Sequence, residues 1–253
     1  MTRRLKTLTL LAGLAAVGTP LCAYAQTGTI ADWGPNGYAY ESSYGAPTAY
    51  VSNAGSQLKI LAVINGFLGP LAGFDASLTS PFEYTVYIHN LASAGTVITL
   101  GGFANTYKTV YNGSGGGGLA NFEIYEDGAK NAVFGTNPDA TTPATFTDGT
   151  LFLSGVFHTM TVTFARQNNN GTILGGNFDT GEPTVADIFT GGREFPKVSI
   201  AGHGCPMRIT GGWLARPGNF PVGYSAHPDG KFDISCPTDA TPSTWGRMKS
   251  LYH

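Results

Sequence analysis

The clearest regular pattern in the chain is an alternation of apolar and polar positions over residues 82–91, in the stretch FEYTVYIHNL. Phe82, Tyr84, Val86 and Ile88 fall on one parity, and four mostly polar side chains fall on the other. Successive side chains of a strand point to opposite faces, so this period of two predicts a β-strand. We expect one face of this strand to be buried and the other to face solvent.

Further short strands are predicted where β-branched and aromatic residues lie between glycine-rich turns. Turns are expected at Asn112–Gly118 and at Glu126–Asn131. The strand candidates are GTVITLGGF (95–103), YKTVY (107–111), ANFEIYED (120–127) and NAVFG (131–135).

Residues 148–176 contain the strongest hairpin signal, with QNNNG as the turn and TILGG as the start of the return strand. Leu151 and Leu153 lie on the other parity from the following apolar residues, so Gly155 is predicted to be a β-bulge. The apolar face after that bulge consists of Val156, His158, Met160, Val162 and Phe164.

Helical periodicity is nearly absent after residue 26. The two candidates for short helices are Glu182–Gly192, where apolar residues are spaced three and four apart, and the C-terminal residues 244–253. Many short strands with few helices indicate an all-β protein. We predict an antiparallel β-sandwich, jelly-roll-like, with at most one or two short helices.

Residues 1–25 have the features of a secretory signal peptide. The head carries three basic residues, residues 8–17 are apolar but too few to span a bilayer, and AYA at 23–25 fits the cleavage rule. We expect the mature chain to begin at Gln26 and to be secreted, periplasmic or at the cell surface, with no membrane span after cleavage. A leader that stays uncut as a membrane anchor is the alternative.

Composition and charge narrow the class of partner. Charged residues make up 12% of the chain and glycine accounts for 36 of 253 residues, which disfavours exposed helices and suits strands joined by tight turns. Removal of the leader leaves eleven Lys and Arg residues against sixteen Asp and Glu residues, a net charge of −5. This charge predicts no binding to nucleic acid and leaves self-association or a surface glycan as the expected partners.

Two cysteines, Cys205 and Cys236, remain in the chain after the leader. In an oxidising compartment two such thiols pair, so we predict a disulfide. A metal site that adds His203 and His227 lacks the tight ligand spacing of zinc knuckles. We expect one domain, residues 26–253, whose part from about residue 197 is loop-rich and depends on this disulfide for its order.

No cofactor is predicted, and calcium is the one metal that the sequence leaves open. Clusters of Asp, Asn and Gly place carboxylates at Asp139, Asp148, Asp229 and Asp233. These clusters do not match the spacing of the twelve-residue calcium loop, and turn chemistry explains them at least as well.

Catalytic motifs are absent from the sequence. There is no G-x-S-x-G elbow and no H-E-x-x-H helix, and Glu123 and Glu126 are expected on opposite faces of a strand, where they form no acid pair. His158, on an apolar strand face, has two interpretations: a catalytic base, or a core histidine bonded to a backbone carbonyl. The second is favoured, and an enzyme is the less expected class.

Aromatic residues beside polar groups are the remaining clue to function. They suit a sugar-binding or protein-binding surface, although packing at the ends of a sandwich explains them as well. The candidate ligand-binding residues are Trp33, Tyr38, Tyr40, Trp213, Tyr224, His227 and Asp229.

The sequence therefore leads to two hypotheses of function. The first is an exported bacterial β-sandwich protein with a structural or cell-surface interaction role. The alternative is a carbohydrate-binding module or a carbohydrate-active hydrolase. The first predicts self-association through an unpaired sheet edge, and the second predicts that the candidate aromatic residues share an open concave face.

Overall fold

The structure, a computed structural model, describes residues 27–42, 51–134, 143–215 and 223–236. These residues form antiparallel strands, one α-helix (α1, Ala144–Thr147) and 3-10 turns at Gly69–Leu71, Gly116–Gly118 and Phe195–Val198. The prediction of an all-β fold with little helix is confirmed. The strands are β1 Thr27–Gly34, β2 Gly37–Glu41, β3 Gln57–Val63, β4 Gly66–Phe67, β5 Glu83–Thr99, β6 Ala104–Gly113, β7 Ala120–Asp127, β8 Thr150–Phe157, β9 Thr159–Gln167, β10 Ile173–Asp179, β11 Ile188–Gly191, β12 Ser199–Ile200, β13 His203–Gly204, β14 Met207–Ala215 and β15 Ala226–Ser235.

Eight of these strands close on themselves. Each strand pairs with the next in the order β5, β3, β2, β15, β14, β10, β9 and β6, and β6 then pairs with β5 again. Three further strands, β7, β8 and β11, extend the sheet from the first half of β5, and β1 and β4 extend it from β15. The architecture is therefore a closed eight-stranded barrel with added strands, and the prediction of a β-sandwich or jelly roll was wrong at this level.

Strand β5 makes the closure because its first and second halves pair with different strands. Its residues 83–89 pair with β7, and its residues 91–99 pair with β6. Register shifts opposite β3 and β6 place extra residues at Asn90 and around Gly95, both of which have positive φ (59° and 95°). Asn and Gly tolerate this conformation, and such bulges bend a strand and increase its twist. The bends carry β5 from the extension into the barrel.

Local sequence patterns do not distinguish a barrel from a sandwich, since both consist of short alternating strands. Closure depends on two contacts between distant parts of the chain. One is β6 against the end of β5. The other is β15 against β2, where Ala226 pairs with Ala39 and the Ser225 amide donates to the Ala39 carbonyl at 2.8 Å.

The main hydrophobic core fills the space enclosed by the barrel and its extension. It is rich in aromatic rings, including Phe122, Phe178 and Phe232, all nearly or fully buried. A second, smaller cluster lies on the outer side of β2, β3 and β5 around Phe146 of α1. It buries Tyr87, and Thr85 donates its hydroxyl to the Phe146 carbonyl at 2.8 Å. The prediction of a half-buried strand was therefore wrong here, because α1 covers the second face.

The region from about residue 197 is not loop-rich where the structure describes it. Residues 207–215 and 226–235 are the long paired strands β14 and β15 of the barrel. The burial of β15 alternates along its length, but its inward positions include Pro228 and Gly230, which masked the pattern in the sequence. Gly230 is required there because a Cβ would lie 2.2 Å from the Trp33 ring. Residues 237–253, with the predicted C-terminal helix, lie outside the described residues.

Three local predictions were wrong. Residues 182–192 form no helix, and their last part is strand β11; residues 131–134 form no strand. The bulge of β8 lies at Phe152, because Ile124 pairs with Leu153 and the next residue of β7 pairs with Leu151. Gly155 is a glycine for another reason: a Cβ there would lie 2.2 Å from the Phe122 ring, which packs directly on the backbone.

The hairpin turn between β9 and β10 is confirmed.

Candidate functional site

Trp33 and Trp213 lie in the barrel core. Trp33 is fully buried, donates its indole N–H to the Pro228 carbonyl at 3.2 Å and contacts the rings of Phe178 and Phe232. Trp213 is 5% exposed and packs edge-on against Phe178. Neither ring offers a face to a ligand at the surface, and both act as packing elements.

Tyr40 and Tyr224 belong to the second cluster, where both are buried. Burial raises the pKa of the Tyr224 hydroxyl to about 12, because the phenolate would lose its solvation. The Tyr224 phenol therefore stays neutral at physiological pH, and both side chains pack within the second cluster.

Tyr38, His227 and Asp229 lie on the outer face of the sheet. The Tyr38 ring is half-buried and contacts His227 edge-on at 5.0 Å, with Phe134 on another side at 4.6 Å. The His227 ring nitrogen Nε2 lies 2.6 Å from the Pro35 carbonyl, and Asp229 is exposed two residues further along β15. The seven candidate ligand-binding residues are thus divided between two faces of the sheet and do not form one open surface.

Cys205 and Cys236 form the predicted disulfide, with their Cα atoms 4.9 Å apart. Both residues are 3% exposed. They flank β14 and β15, whose pairing begins at Met207 and Ile234, so the bridge closes the open end of this hairpin. His203 is exposed on β13 and does not share a site with the sulfurs.

The described carboxylates that were considered for calcium do not form a common ligand group, and two of them have protein partners. Asp148 accepts from the Asn131 amide, and Asp233 accepts from the Thr29 hydroxyl at 2.6 Å. In the part of the chain that the structure describes, no group of three or more His, Cys, Asp or Glu side chains is placed to hold a metal ion. Asp139 lies outside that part. None of the described helices has the length and apolar character to cross a membrane.

Glu123 and Glu126 lie on opposite faces of β7, as predicted. Glu123 accepts from Tyr125 on the outer face, while Glu126 accepts from Tyr84 at 2.7 Å and pairs with Arg193. The pKa of Glu126 is lowered, first by the hydrogen bonds from Arg193 and then by that from Tyr84, since both favour the ionised carboxylate.

Glu126 is expected to make stability depend on pH in the acid range. A carboxyl whose folded pKa is depressed stabilises the protein above its unfolded pKa, about 4.3, and this contribution is lost as pH falls through the folded pKa. Glu126→Gln should therefore flatten the decline in the free energy of unfolding below about pH 5, by less than about 1 kcal/mol because Arg193 is partly exposed. Urea unfolding at several pH values measures this, and an unchanged decline would contradict it.

His158 is neither in the core nor bonded to a carbonyl through its ring. The chain bends between β8 and β9, so Phe157 and Met160 point into the core and the His158 side chain is 49% exposed. Its Nδ1 lies 2.8 Å from Oδ1 of Asp187, a residue that the sequence interpretation missed. The expectation of a core histidine was wrong, because the bend changes the parity after Phe157.

Five of the eleven large apolar side chains that are exposed among the described residues lie at one end of the barrel. The β5–β6 and β9–β10 turns meet there. The backbone N–H of Asn168 donates to the Phe103 carbonyl at 3.0 Å, and its side-chain Nδ2 donates to the Gly101 carbonyl at 2.6 Å. Neither residues 96–106 nor residues 168–175 include a charged residue. The apolar end, as we call it, consists of Val97 (67% exposed), Ile98 (42%), Leu100 (79%), Phe103 (65%) and Leu174 (48%).

The strand candidate GTVITLGGF departs from strict alternation of apolar and polar residues, and this departure marks the apolar end in the sequence. Val97 and Ile98 are consecutive and point to opposite faces of β5, yet both are apolar and exposed. An apolar pair on both faces of a strand, next to Leu100 and Phe103, places apolar side chains at the surface at this end of the barrel.

Comparisons of the chain with known protein families, with characterised proteins and with solved structures found no match.

Proposed function

We propose that this protein is exported, acts structurally or in interactions at the cell surface, and associates with copies of itself through the apolar end. The observation that carries this proposal is that five exposed apolar side chains lie on or beside the two turns that meet at one end of the barrel: Val97, Ile98, Leu100, Phe103 and Leu174. Apolar side chains gathered in one exposed patch mark interaction sites, whereas single ones scattered over a surface need no explanation.

A second copy of the chain fits this surface because the turns that form it carry no charged residue. Two cations border it: Lys108, which pairs with Val97, and Arg166, which donates to the Gly171 carbonyl. In a two-fold symmetric contact each group meets the same patch on the partner, so a charged patch would repel itself. The turns that form the apolar end include no Asp, Glu, Lys or Arg. The mature chain has a predicted net charge of −5, so two copies repel each other less at an end whose turns carry no acidic residue.

The expected affinity is low. A symmetric pair brings together ten side chains that are about half exposed, and covering each stabilises the pair by about 1 kcal/mol. Loss of translational and rotational freedom costs at least about 4 kcal/mol. The remainder, at most about 6 kcal/mol, corresponds to a dissociation constant of about 40 µM or weaker, typical of a contact strengthened by many copies on a surface.

Sheet edges contribute less to the proposal than the sequence led us to expect. Among the described strands, β4 has two residues, and β11 has four. The open side of β11 is covered, since the Phe189 amide donates to the Cys205 carbonyl and Ile188 forms a bridge with Pro206. Association is therefore proposed through side chains rather than through backbone pairing.

Export is supported by two features of the chain. The N-terminal 25 residues have the charged head, apolar run and small-residue cleavage site of a leader, and the Cys205–Cys236 disulfide forms in oxidising compartments.

Sedimentation velocity of the chain from Gln26 onward, from about 5 µM to 500 µM, tests self-association. We expect the average mass to rise with concentration for the wild type, and the double variant Leu100→Ser/Phe103→Ser to stay monomeric because it loses two exposed apolar side chains. Leu78→Ser is the matched control, since Leu78 is 96% exposed and lies outside the apolar end. A wild type that stays monomeric throughout, or a control that weakens association equally, would overturn the proposal.

Glycan binding remains the second candidate function, on a smaller set of residues than the sequence indicated. Tyr38, His227 and Asp229 share the outer face and keep part of their surface exposed. A glycan array with the wild type and with Tyr38→Ala tests it. Binding that Tyr38→Ala abolishes would support this function, and the absence of any bound glycan would remove it.

A further inference from the structure

Hydrogen bonds fix both the backbone and the carboxylate of Asp187. Its backbone N–H donates to the Thr184 carbonyl and its carbonyl accepts from the Met207 amide. Its carboxylate is 9% exposed, and it accepts from the backbone N–H of His158 at 2.9 Å and from the Thr184 hydroxyl at 3.0 Å. A carboxylate fixed in this way cannot rotate away from the group that it orients.

The group that it orients is the imidazole of His158. Nδ1 of His158 lies 2.8 Å from Oδ1 of Asp187, and a carboxylate accepts hydrogen bonds only, so Nδ1 carries the proton. The neutral ring then has its lone pair on Nε2, and the side chain is 49% exposed. Asp187 thus presents Nε2 of His158 to solvent as a proton acceptor with a fixed tautomer.

Two features distinguish this arrangement from an ion pair between two exposed side chains. The carboxylate is the buried partner and the imidazole the exposed one, the order in which an orienting acid supports a base. The backbone of His158 is also fixed, because its carbonyl accepts from the Gly113 amide at 2.7 Å. His203, by contrast, is exposed on β13, where its backbone pairs with Ile200, and among the described residues no carboxylate is placed to orient its ring. It provides a comparison within the same chain.

We propose that His158 and Asp187 form a general-base site that hydrolyses small acyl esters, a function separate from self-association. Nε2 of His158 removes a proton from a water molecule as the water oxygen bonds to the ester carbonyl carbon. The bond from that carbon to the alcohol oxygen then breaks, and the imidazolium returns its proton to the departing alkoxide. The products are a carboxylic acid and an alcohol, and His158 regains its starting form. Asp187 is the positioning residue.

Hydrolysis of p-nitrophenyl acetate by the chain from Gln26 onward, at pH 8 and with substrate in large excess, tests the proposal. We expect more than one turnover, with His158→Gln lowering the protein-dependent rate by about 10²-fold or more. Asp187→Asn should lower it by about tenfold or more, since an amide favours the wrong tautomer. His203→Gln should retain the wild-type rate.

A spectroscopic measurement separates positioning from a purely structural role. The ¹⁵N shifts of the His158 ring should show a protonated Nδ1 in the wild type, and Asp187→Asn should shift the balance toward protonated Nε2 while its far-ultraviolet circular dichroism stays native. The proposal is overturned by a His158→Gln rate equal to wild type, by His203→Gln losing as much as His158→Gln, or by a wild-type ring protonated on Nε2. Because self-association is measured by sedimentation, either proposal can fail without the other.

Discussion

Replacing Trp33 with alanine is expected to lower the free energy of unfolding by about 3–5 kcal/mol. The indole is fully buried among aromatic rings, and its removal leaves a cavity under Gly230, whose missing Cβ is what lets the ring lie there. The Pro228 carbonyl also loses its hydrogen bond from the indole N–H. A loss of this size is a large part of the 5–15 kcal/mol that stabilises a typical domain.

Urea unfolding followed by tyrosine fluorescence or circular dichroism measures this loss. Tyr38→Ala is the matched control, because Tyr38 is a half-buried aromatic residue on the outer face and should cost less than Trp33. If Trp33→Ala proved as stable as wild type, the assignment of the indole as a packing element of the core would fail.

Removal of the disulfide is the second large effect that we expect. Cys205→Ser/Cys236→Ser opens a loop with a sequence separation of 31, and in the chain-entropy model this lowers the free energy of unfolding by about 3–4 kcal/mol. The two strands that the bridge joins, β14 and β15, pair with each other over nine positions and lie within the barrel. We therefore expect the whole barrel to lose stability, and not a peripheral loop alone.

Hydrogen exchange resolves where stability is lost in the serine variant. Amides of β14, β15 and the neighbouring β10 should exchange faster together, by the same factor as the global unfolding equilibrium changes. The wild type treated with a reductant is the control and should match the variant. Faster exchange confined to residues near Cys205 and Cys236, with no change in global stability, would contradict this expectation.

The candidate site residues have surroundings that local sequence does not reveal. Trp33, Tyr38 and Tyr40 are close in the chain and looked like one aromatic platform, yet Trp33 faces the barrel core and the tyrosines face outward. Asp187 and His158 are 29 residues apart and carry no motif; only the bend after Phe157 and the turn before β11 bring them together.

The sequence by itself determined the all-β class and the disulfide. Period-two alternation and glycine-rich turns follow from strand geometry, and the two cysteines outside the predicted leader have only each other to pair with. Only the tertiary structure decided that the sheet closes into a barrel. Closure depends on the pairing of β5 with β6 and of β15 with β2, contacts between strands whose local patterns are the same in a sandwich. It also decided which face of each strand is covered, since α1 buries the side of β5 that alternation assigned to solvent.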